Sequence, residues 1–312
     1  MDDPMTPASP PAPSDERIIT PEARMDAVTL RVGDLDGMSS YYENALALRP
    51  LDERVRGTEV HRVLGRDGTP MVRLVHAPGL PPFDPRQAGL YHTAFLFEDA
   101  ASLAATVYRT AREARSRFQG SSDHLVSEAF YFADPEGNGI ELYVDRDRRS
   151  WRDATGRIRM DTLYLDPNAY LQRHLTQEAL DAAPTAAATV GHVHLQVGDI
   201  EAARPFYVDA LGFEVTIAEY PGALFTSAGG YHHHLGINSW QSRGAGPRAA
   251  SLGLGEVAVT VPGREDLDAL IARLRFRGIP FEDTGRSVTA TDPWGTRVSV
   301  GLPNPTAPDL LG

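Results

Sequence analysis

The chain has 312 residues, 42% of them hydrophobic and 23% charged, which is enough for one large or two ordinary globular domains. Its formal net charge of −12 argues against nucleic acid and anionic membranes as partners, because both require a basic surface. Cysteine and lysine are both missing, which excludes disulfides, thiolate metal ligands, cysteine nucleophiles and lysine Schiff bases. No apolar run approaches the length of a membrane-spanning helix.

The first 24 residues are acidic and rich in proline, and they lack the basic and apolar regions of a signal peptide. We therefore predict a disordered leader over residues 1–24. A strand-like segment follows from Met25, and Asp34 is a predicted N-cap for an amphipathic helix that ends at Leu46. Further strand-like sequence covers Val60–Val75. We call this order of strand, helix and about three strands a module.

The same order recurs three times along the chain, so we predict four modules of the form βαβββ. Their first strands lie at Gly89–Phe95, Gly191–Ile200 and Leu254–Val261. Their helices are predicted over Glu98–Phe118, Asp199–Leu211 and Arg264–Arg277. Their later strands are predicted within Leu125–Val144, Ala223–Ile237 and Ser287–Val300. The predicted domains are 25–147 and 190–302, with a linker at 148–189 that carries a short helix near Ala169–Leu180, and a tail at 303–312.

One position in the first strand is occupied by different residue types in the four modules. Aligned in register, it reads Ala27, His92, His192 and Glu256. An isolated histidine on a strand is more often a hydrogen-bonded core residue than a ligand. Recurrence in register at two modules favours a functional site instead. His194 shares a strand face with His192, and we interpret it as a non-ligand group beside the site.

A carboxylate completes this set of histidines. Glu141 faces away from the apolar Ile140 and Leu142 in the last strand of module two, directly after the turn Asp134–Gly139. Two neutral imidazoles and one carboxylate form the facial triad of non-haem Fe(II) oxygenases, which leaves coordination positions open for substrate and dioxygen. Since no thiolate is available, the sequence favours Fe(II), with Mn(II) as the alternative, over structural zinc.

Several phrases resemble the vicinal oxygen chelate superfamily, which includes glyoxalase I and extradiol dioxygenases, and most of all its catechol 2,3-dioxygenase branch. These phrases lie at Gly89–Phe95, Asp134–Tyr143, Gly191–Leu195 and Gly229–Trp240. The resemblance implies an α+β fold of four βαβββ modules in two barrel-like halves. It also implies metal ligands at His92, His192 and Glu141.

The modules that carry these ligands are two and three, so we expect those modules to pair around the metal. Modules one and four would then form a metal-free half. Module one has Ala27 at the histidine position, and module four has Val298 and Val300 where a glutamate ligand is expected.

The resemblance further implies a second-sphere acid–base histidine in the run His232–His234. Alignment to the family favours His233, whereas counting from the preceding turn favours His234, and both remain candidates. Tyr131 matches a tyrosine that hydrogen-bonds the bound substrate, and His124 lies in the matching upstream loop.

The implied function is cleavage of a small aromatic diol by O2, in a cytoplasmic protein without nucleic-acid or membrane partners. A homo-oligomer is compatible with this interpretation.

Two other functions stay open. One is a different metal-dependent member of the superfamily, such as an isomerase or a thiol transferase. That alternative is weakened because module three offers histidine where a second glutamate ligand would sit. The other is a binding protein that sequesters an aromatic ligand without a metal triad.

Overall fold

The computed structural model describes residues 18–303, so most of the expected leader and tail lie outside the described residues. Module one comprises β1 (Arg24–Met25), β2 (Val28–Val32), α1 (Leu35–Leu46), β3 (Arg49–Arg56), β4 (Glu59–Arg66) and β5 (Thr69–His76). Module two comprises β6 (Gly89–Phe97), α2 (Ala100–Arg112), β7 (Arg117–Asp123), β8 (Ser127–Ala133) and β9 (Gly139–Asp145).

The segment between the predicted domains contains a 3₁₀ turn (Arg148–Ser150), β10 (Leu163–Tyr164), α3 (Pro167–His174) and α4 (Gln177–Ala182). Module three comprises β11 (Ala188–Gln196), α5 (Ile200–Arg204), a π-helical turn (Pro205–Ala210), β12 (Glu214–Ile217), β13 (Ala223–Ser227) and β14 (Leu235–Asn238). Module four comprises β15 (Gly253–Thr260), α6 (Arg264–Phe276), β16 (Phe281–Asp283), β17 (Ser287–Thr291) and β18 (Arg297–Gly301).

Two nine-stranded sheets organise these modules, and they confirm the predicted α+β fold and module pairing. In one, which we call the 2+3 sheet, β6 of module two pairs antiparallel with β11 of module three. In the other, the 1+4 sheet, β2 of module one pairs antiparallel with β15 of module four. Within each module the last strand runs parallel to the first. Each sheet therefore joins two modules from different halves of the chain.

Aspartate caps start three of the helices that pack on these sheets. The side chains of Asp34, Asp99 and Asp199 each accept a backbone N–H three residues later, at 2.7–2.9 Å. The third of these helices changes to a π-helical turn at Pro205, because proline lacks the N–H that the α-helical ladder needs. The predicted caps at Asp34 and Asp199 are confirmed.

Two predicted helices differ from the observed ones: one is shorter and the other is divided in two. The helix predicted to reach Phe118 ends at Arg112, and Phe118 lies in β7, where it pairs with Phe132 of β8. In the segment between domains, the single short helix is two helices, because Thr176 caps a new one by accepting the N–H of Ala179 at 3.1 Å.

The end of the expected leader is part of the folded body. Ile19 and Ala23 are buried in the common hydrophobic core, and the Ile19 N–H donates to the carbonyl of Gly212 at 2.8 Å. The predicted disorder is therefore wrong for residues 18–24. Among residues 18–303, no helix combines the length and apolar character that a membrane crossing requires.

Two matching contacts join the sheets through tyrosine and aspartate. The hydroxyl of Tyr42 on α1 donates to Asp134 of module two at 3.0 Å. The hydroxyl of Tyr207 donates to Asp292 of module four at 2.8 Å. Each aspartate also accepts two backbone N–H groups of its own turn, so the same residue shapes the hairpin and ties it to the other sheet.

Candidate metal centre and its cavity

Three buried side chains of the 2+3 sheet converge at the β6–β11 seam. His92 lies on β6, His192 on β11 and Glu141 on β9, opposite Ala94 in the parallel pair. They are 6%, 1% and 3% exposed. The Nε2 atoms of His92 and His192 lie 2.9 and 3.1 Å from the same carboxylate oxygen, Oε2 of Glu141. One ligand atom from each residue thus lies within 4.8 Å of the others, a group that could hold a metal ion.

The spacing of these atoms fits a metal ion. Ligand atoms at right angles, each about 2.1 Å from a common ion, are separated by about 3.0 Å. Despite its short distance to Glu141, Nε2 of His92 makes no hydrogen bond and is buried. A buried polar atom without a partner is costly unless something else satisfies it. Two imidazoles and a carboxylate therefore form a donor set suited to a divalent cation.

The electrostatics keep this donor set in the form that binds metal. Burial lowers the pKa of His192 to about 4, although Glu141 acts in the opposite direction. Burial alone would raise the pKa of Glu141, but the close approach of His192 and His92 outweighs it, so the pKa lies well below its usual range. At neutral pH the site holds an ionised carboxylate and a neutral imidazole at His192.

A glycine explains the place of His194. His194 lies opposite His92 across the β6–β11 pair and beside Gly236 of β14. A Cβ at Gly236 would lie 2.9 Å from the imidazole carbons Cγ and Cδ2 of His194. Gly236 occupies the same register position as Glu141, two residues past the first-strand histidine. The expected histidine at the second-glutamate position is therefore wrong, because Gly236 stands there and the ring of His194 fills the space.

The triad opens into a cavity of about 820 Å³ between the strands of the 2+3 sheet. One side of the cavity carries a chain of rings in edge or tilted contact, with centroids 5.1–6.2 Å apart. We call this the ring wall, and it consists of Tyr91, His194, Tyr220, Phe225 and Trp240. Trp240 is 43% exposed and lies at the outer end of the wall. Met160 and Thr162, from the segment between domains, also line the cavity.

Tyr131 and His124 form a hydrogen-bonded pair. Nδ1 of His124 lies 2.7 Å from the carbonyl of Asp161, which can only accept, so Nδ1 carries the proton. Nε2 of a neutral His124 then accepts the hydroxyl of Tyr131 at 2.6 Å. Burial and the charge of Glu141 raise the pKa of Tyr131 well above its usual value, so the phenol stays protonated. Both side chains line the cavity.

The three rings of the run His232–His234 lie in different environments. His233 lines the cavity, with its ring centroid 4.1 Å from that of His192. Nδ1 of His234 instead accepts the Ala228 N–H at 3.1 Å and lies 3.1 Å from the Ser227 hydroxyl. Burial lowers the pKa of His234 to about 3. Of the two acid–base candidates, the structure brings only His233 to the cavity.

The prediction for the last strand of module four is wrong by one position. Parallel pairing sets Ser299 beside Ala258, as Glu141 stands beside Ala94. Ser299, rather than Val298 or Val300, thus occupies the position of Glu141, while both valines are buried in the core. The metal group found in residues 18–303 belongs to the 2+3 sheet alone.

A family model described as Glyoxalase/Bleomycin resistance protein/Dioxygenase superfamily matches residues 24–142 and 189–300. The chain belongs to this superfamily. A protein of Bacillus subtilis (strain 168) named catechol-2,3-dioxygenase is 36% identical to it over 273 residues, which cover 85% of this chain and 92% of that protein. The predicted superfamily is therefore confirmed.

Solved structures share the fold at low sequence identity. A putative dioxygenase from Bacillus subtilis subsp. subtilis str. 168 has a TM-score of 0.61 at 14% identity, covering 93% of this chain and 87% of that one. Glyoxalase I from Zea mays has a TM-score of 0.55 at 18% identity, covering 90% and 92%. Since both relatives fall on the same architecture, the fold alone does not separate a dioxygenase from an isomerase.

Proposed function

We propose that this protein is an extradiol dioxygenase that cleaves the ring of a catechol-type diol with O2 and a mononuclear Fe(II), with Mn(II) as the alternative metal. The observation that carries the proposal is the triad His92, His192 and Glu141 opening into a ring-lined cavity. The 36% identical relative named catechol-2,3-dioxygenase supports the same reaction. Residues 92, 192 and 141 would hold the metal.

When bound, the metal would supply Lewis acidity to the two diol oxygens and a redox-active centre for dioxygen. The protein's own part is positioning and proton transfer. Tyr131, a protonated phenol beside His92, would hydrogen-bond a diol oxygen, and His124 would orient that phenol. His233, whose ring centroid lies 4.1 Å from that of His192, would take a hydroxyl proton from the diol and return it later.

The three residues of the triad are nearly fully buried, so bulk water has little direct contact with them. A ring lying between the ring wall and Tyr131 would therefore meet the metal-binding atoms in a defined orientation. The isomerase alternative expects a carboxylate ligand on the last strand of both paired modules. Gly236 disfavours it, because module three has no carboxylate at that position.

The test is metal analysis of anaerobically purified full-length protein, followed by oxygen uptake with catechol. We expect one metal ion per chain and catechol-dependent oxygen consumption that a chelator abolishes and Fe(II) restores. Protein that binds catechol but neither retains metal nor consumes oxygen would instead be a binding protein. Protein that retains metal and consumes no oxygen with any diol would overturn the dioxygenase proposal.

A further inference from the structure

A hydrogen-bonded chain of three side chains leads from the rim of the 2+3 sheet to the cavity. Oδ1 of Asp145, at the end of β9, lies 2.9 Å from Nε2 of His232. Nδ1 of His232 lies 2.9 Å from Nδ1 of His233. The polarity of the chain follows from its first link. A carboxylate oxygen accepts, so Nε2 of His232 carries a proton and Nδ1 of a neutral His232 is an acceptor.

His233 must then donate from Nδ1, which leaves Nε2 unprotonated. Since Nδ1 is engaged with His232, Nε2 is the ring nitrogen that His233 offers to the cavity it lines. We infer that Asp145 and His232 are positioning residues that hold His233 in the tautomer with its Nε2 lone pair facing the substrate. The inference rests on the proposed function for the use of that lone pair, but not for the tautomer itself.

The packing around His232 supports a positioning role. His232 is fully buried between the rings of Tyr231 and Trp151, at centroid distances of 4.1 and 5.0 Å. Trp151 comes from the segment between domains, where its indole N–H donates to the Arg146 carbonyl at 3.0 Å. His232 therefore has both nitrogens bonded and is packed against two aromatic rings. This explains why the run contains a histidine that neither lines the cavity nor belongs to the metal group.

The test compares Asp145→Asn with Glu128→Gln. Both carboxylates lie near the same strand ends and are similarly exposed, at 23% and 20%, but Glu128 pairs with Arg146 instead of a histidine. Nitrogen-15 NMR of histidine-labelled full-length protein, loaded with diamagnetic Zn(II), reads the tautomer of each ring. Single histidine substitutions assign the signals.

We expect His233 to show the Nδ1–H form and His232 the Nε2–H form in the unchanged protein and in Glu128→Gln. Asp145→Asn should populate the other tautomer of His233, because an amide can donate as well as accept. In the iron-loaded enzyme it should lower kcat by about 10–100-fold, the usual cost of removing an orienting partner, with KM and metal content unchanged.

An Nε2–H tautomer of His233 in the unchanged protein would overturn the inference. So would an Asp145→Asn protein whose His233 tautomer matches that of Glu128→Gln. If the tautomers behave as expected while no diol is consumed, the proposed function fails and the positioning inference stands.

A different observation bears on the substrate. All 30 basic side chains of this protein are arginines, yet none lines the cavity among the residues described. Among the described residues that line the cavity, Glu141 is the only one with a carboxylate. With the metal ion occupied by the two diol oxygens, a carboxylate elsewhere on the substrate would lose its hydration and meet no cationic side chain of the cavity, which is strongly unfavourable.

The cavity is also far larger than a single diol ring needs, and the ring wall extends from His194 to the exposed Trp240. We propose that the substrate is a diol with an uncharged, apolar substituent that lies along the ring wall and ends at Trp240. This second inference also rests on the proposed function, and it concerns the ligand's chemistry instead of the reaction.

Anaerobic calorimetric binding to the iron-loaded protein tests it with three diols: catechol, 4-butylcatechol and 3,4-dihydroxybenzoate. We expect 4-butylcatechol to bind at least about tenfold tighter than 3,4-dihydroxybenzoate, since burying the three methylenes and the methyl of the butyl group is worth well over about 1.4 kcal/mol. Trp240→Ala should weaken the binding of 4-butylcatechol by a larger factor than that of catechol, and so reduce the preference. Phe276→Ala, which removes a ring 59% exposed on α6, is the matched control.

Equal or tighter binding of 3,4-dihydroxybenzoate would overturn the inference, as would an unchanged preference in Trp240→Ala. Because the measurement is anaerobic, it does not depend on ring cleavage. Selective binding without oxygen consumption would count against the proposed reaction and leave the substituent preference intact.

Discussion

The 2+3 and 1+4 sheets share one plan and differ in the residues at the same strand positions. At the first-strand position, the 2+3 sheet has His92 and His192, and the 1+4 sheet has Ala27 and Glu256. At the last-strand position the pairs are Glu141 with Gly236, and Arg73 with Ser299, as the parallel registers define them.

The 1+4 sheet therefore carries one cation, Arg73, at a strand position where the 2+3 sheet has Glu141 or Gly236. Glu256 lies 3.4 Å from Arg297. Burial lowers the pKa of Arg73, and the nearby charge of Glu256 partly offsets that effect. The half-buried carboxylate of Glu256 is thus balanced by arginine, whereas the buried carboxylate of Glu141 lies against two imidazoles. The same architecture can neutralise a carboxylate in either way, and the second way leaves a site for a divalent cation.

The largest expected contrast is between Glu141→Ala and Ser299→Ala. The first removes the anionic ligand of the triad, so we expect the protein to lose its bound metal completely. The second changes the equivalent position of the 1+4 sheet, which has no histidine beside it, and should leave the metal content at one per chain. Elemental analysis of both purified variants, with circular dichroism to verify folding, measures the contrast. Full metal occupancy in Glu141→Ala would show that the triad does not hold the metal.

The next largest effect should be a difference in kcat between His233→Ala and a variant of the neighbouring His234. His233→Ala removes the proposed acid–base group, so we expect kcat to fall by about 10²–10⁴-fold with the metal retained. His234→Asn is the control, because an amide oxygen can still accept the Ala228 N–H outside the cavity. Oxygen uptake at saturating catechol gives both values. Loss of metal from His233→Ala would mean that His233 is a ligand, and equal turnover in the two variants would make the run structural.

Residues that recur in register could be predicted from the sequence, and residues that meet only in space could not. The absence of histidine at Ala27 and Glu256 was sufficient to predict which modules pair, and the sheets confirm that pairing. The strands β3, β7, β12 and β16 were not located, because they follow the helices with little alternation of apolar residues.

The ring wall and the hydrogen-bonded series from Asp145 to His233 were also not predicted from the sequence. Tyr91, Phe225 and Trp240 lie in three separate segments, and no period relates them. The role of Gly236 depends on the approach of the His194 ring from a neighbouring strand, which has no signature in either segment. Asp145 and His232 are 87 residues apart and meet only because module two pairs with module three.

The two tyrosine–aspartate contacts should respond differently to pH. Burial raises the pKa of Asp134 to about 6, and it raises that of Asp292 by less. The folded state thus favours protonated Asp134, so its contribution to stability is complete below about pH 4 and is lost as pH rises through about 6. Two pKa units correspond to at most about 3 kcal/mol.

We therefore expect the stability difference between the unchanged protein and Asp134→Asn to fall between pH 4 and 6, on top of a pH-independent offset from altered hydrogen bonds. Urea unfolding of metal-free protein across this range measures it. Asp292→Asn should show a smaller slope over the same range. The assigned burial effect would be contradicted by a stability difference that does not change with pH for Asp134→Asn. A steeper pH dependence for Asp292→Asn than for Asp134→Asn would also contradict it.

The smallest effect should come from Glu256→Gln, at the position that His192 occupies in module three. Glu256 and Arg297 are 20% and 39% exposed, and partly exposed ion pairs contribute about 0–1 kcal/mol. We expect the free energy of unfolding to fall by less than about 1 kcal/mol and the metal content to stay unchanged. His192→Gln, the same substitution product in the 2+3 sheet, should remove the metal, because one of three ligands is lost. Urea unfolding gives the free energy of unfolding of Glu256→Gln, and elemental analysis gives the metal content of both variants. If Glu256→Gln also depleted the metal, the two sheets would be coupled through more than their shared core, and the contrast between a metal-binding half and an arginine-balanced half would not hold.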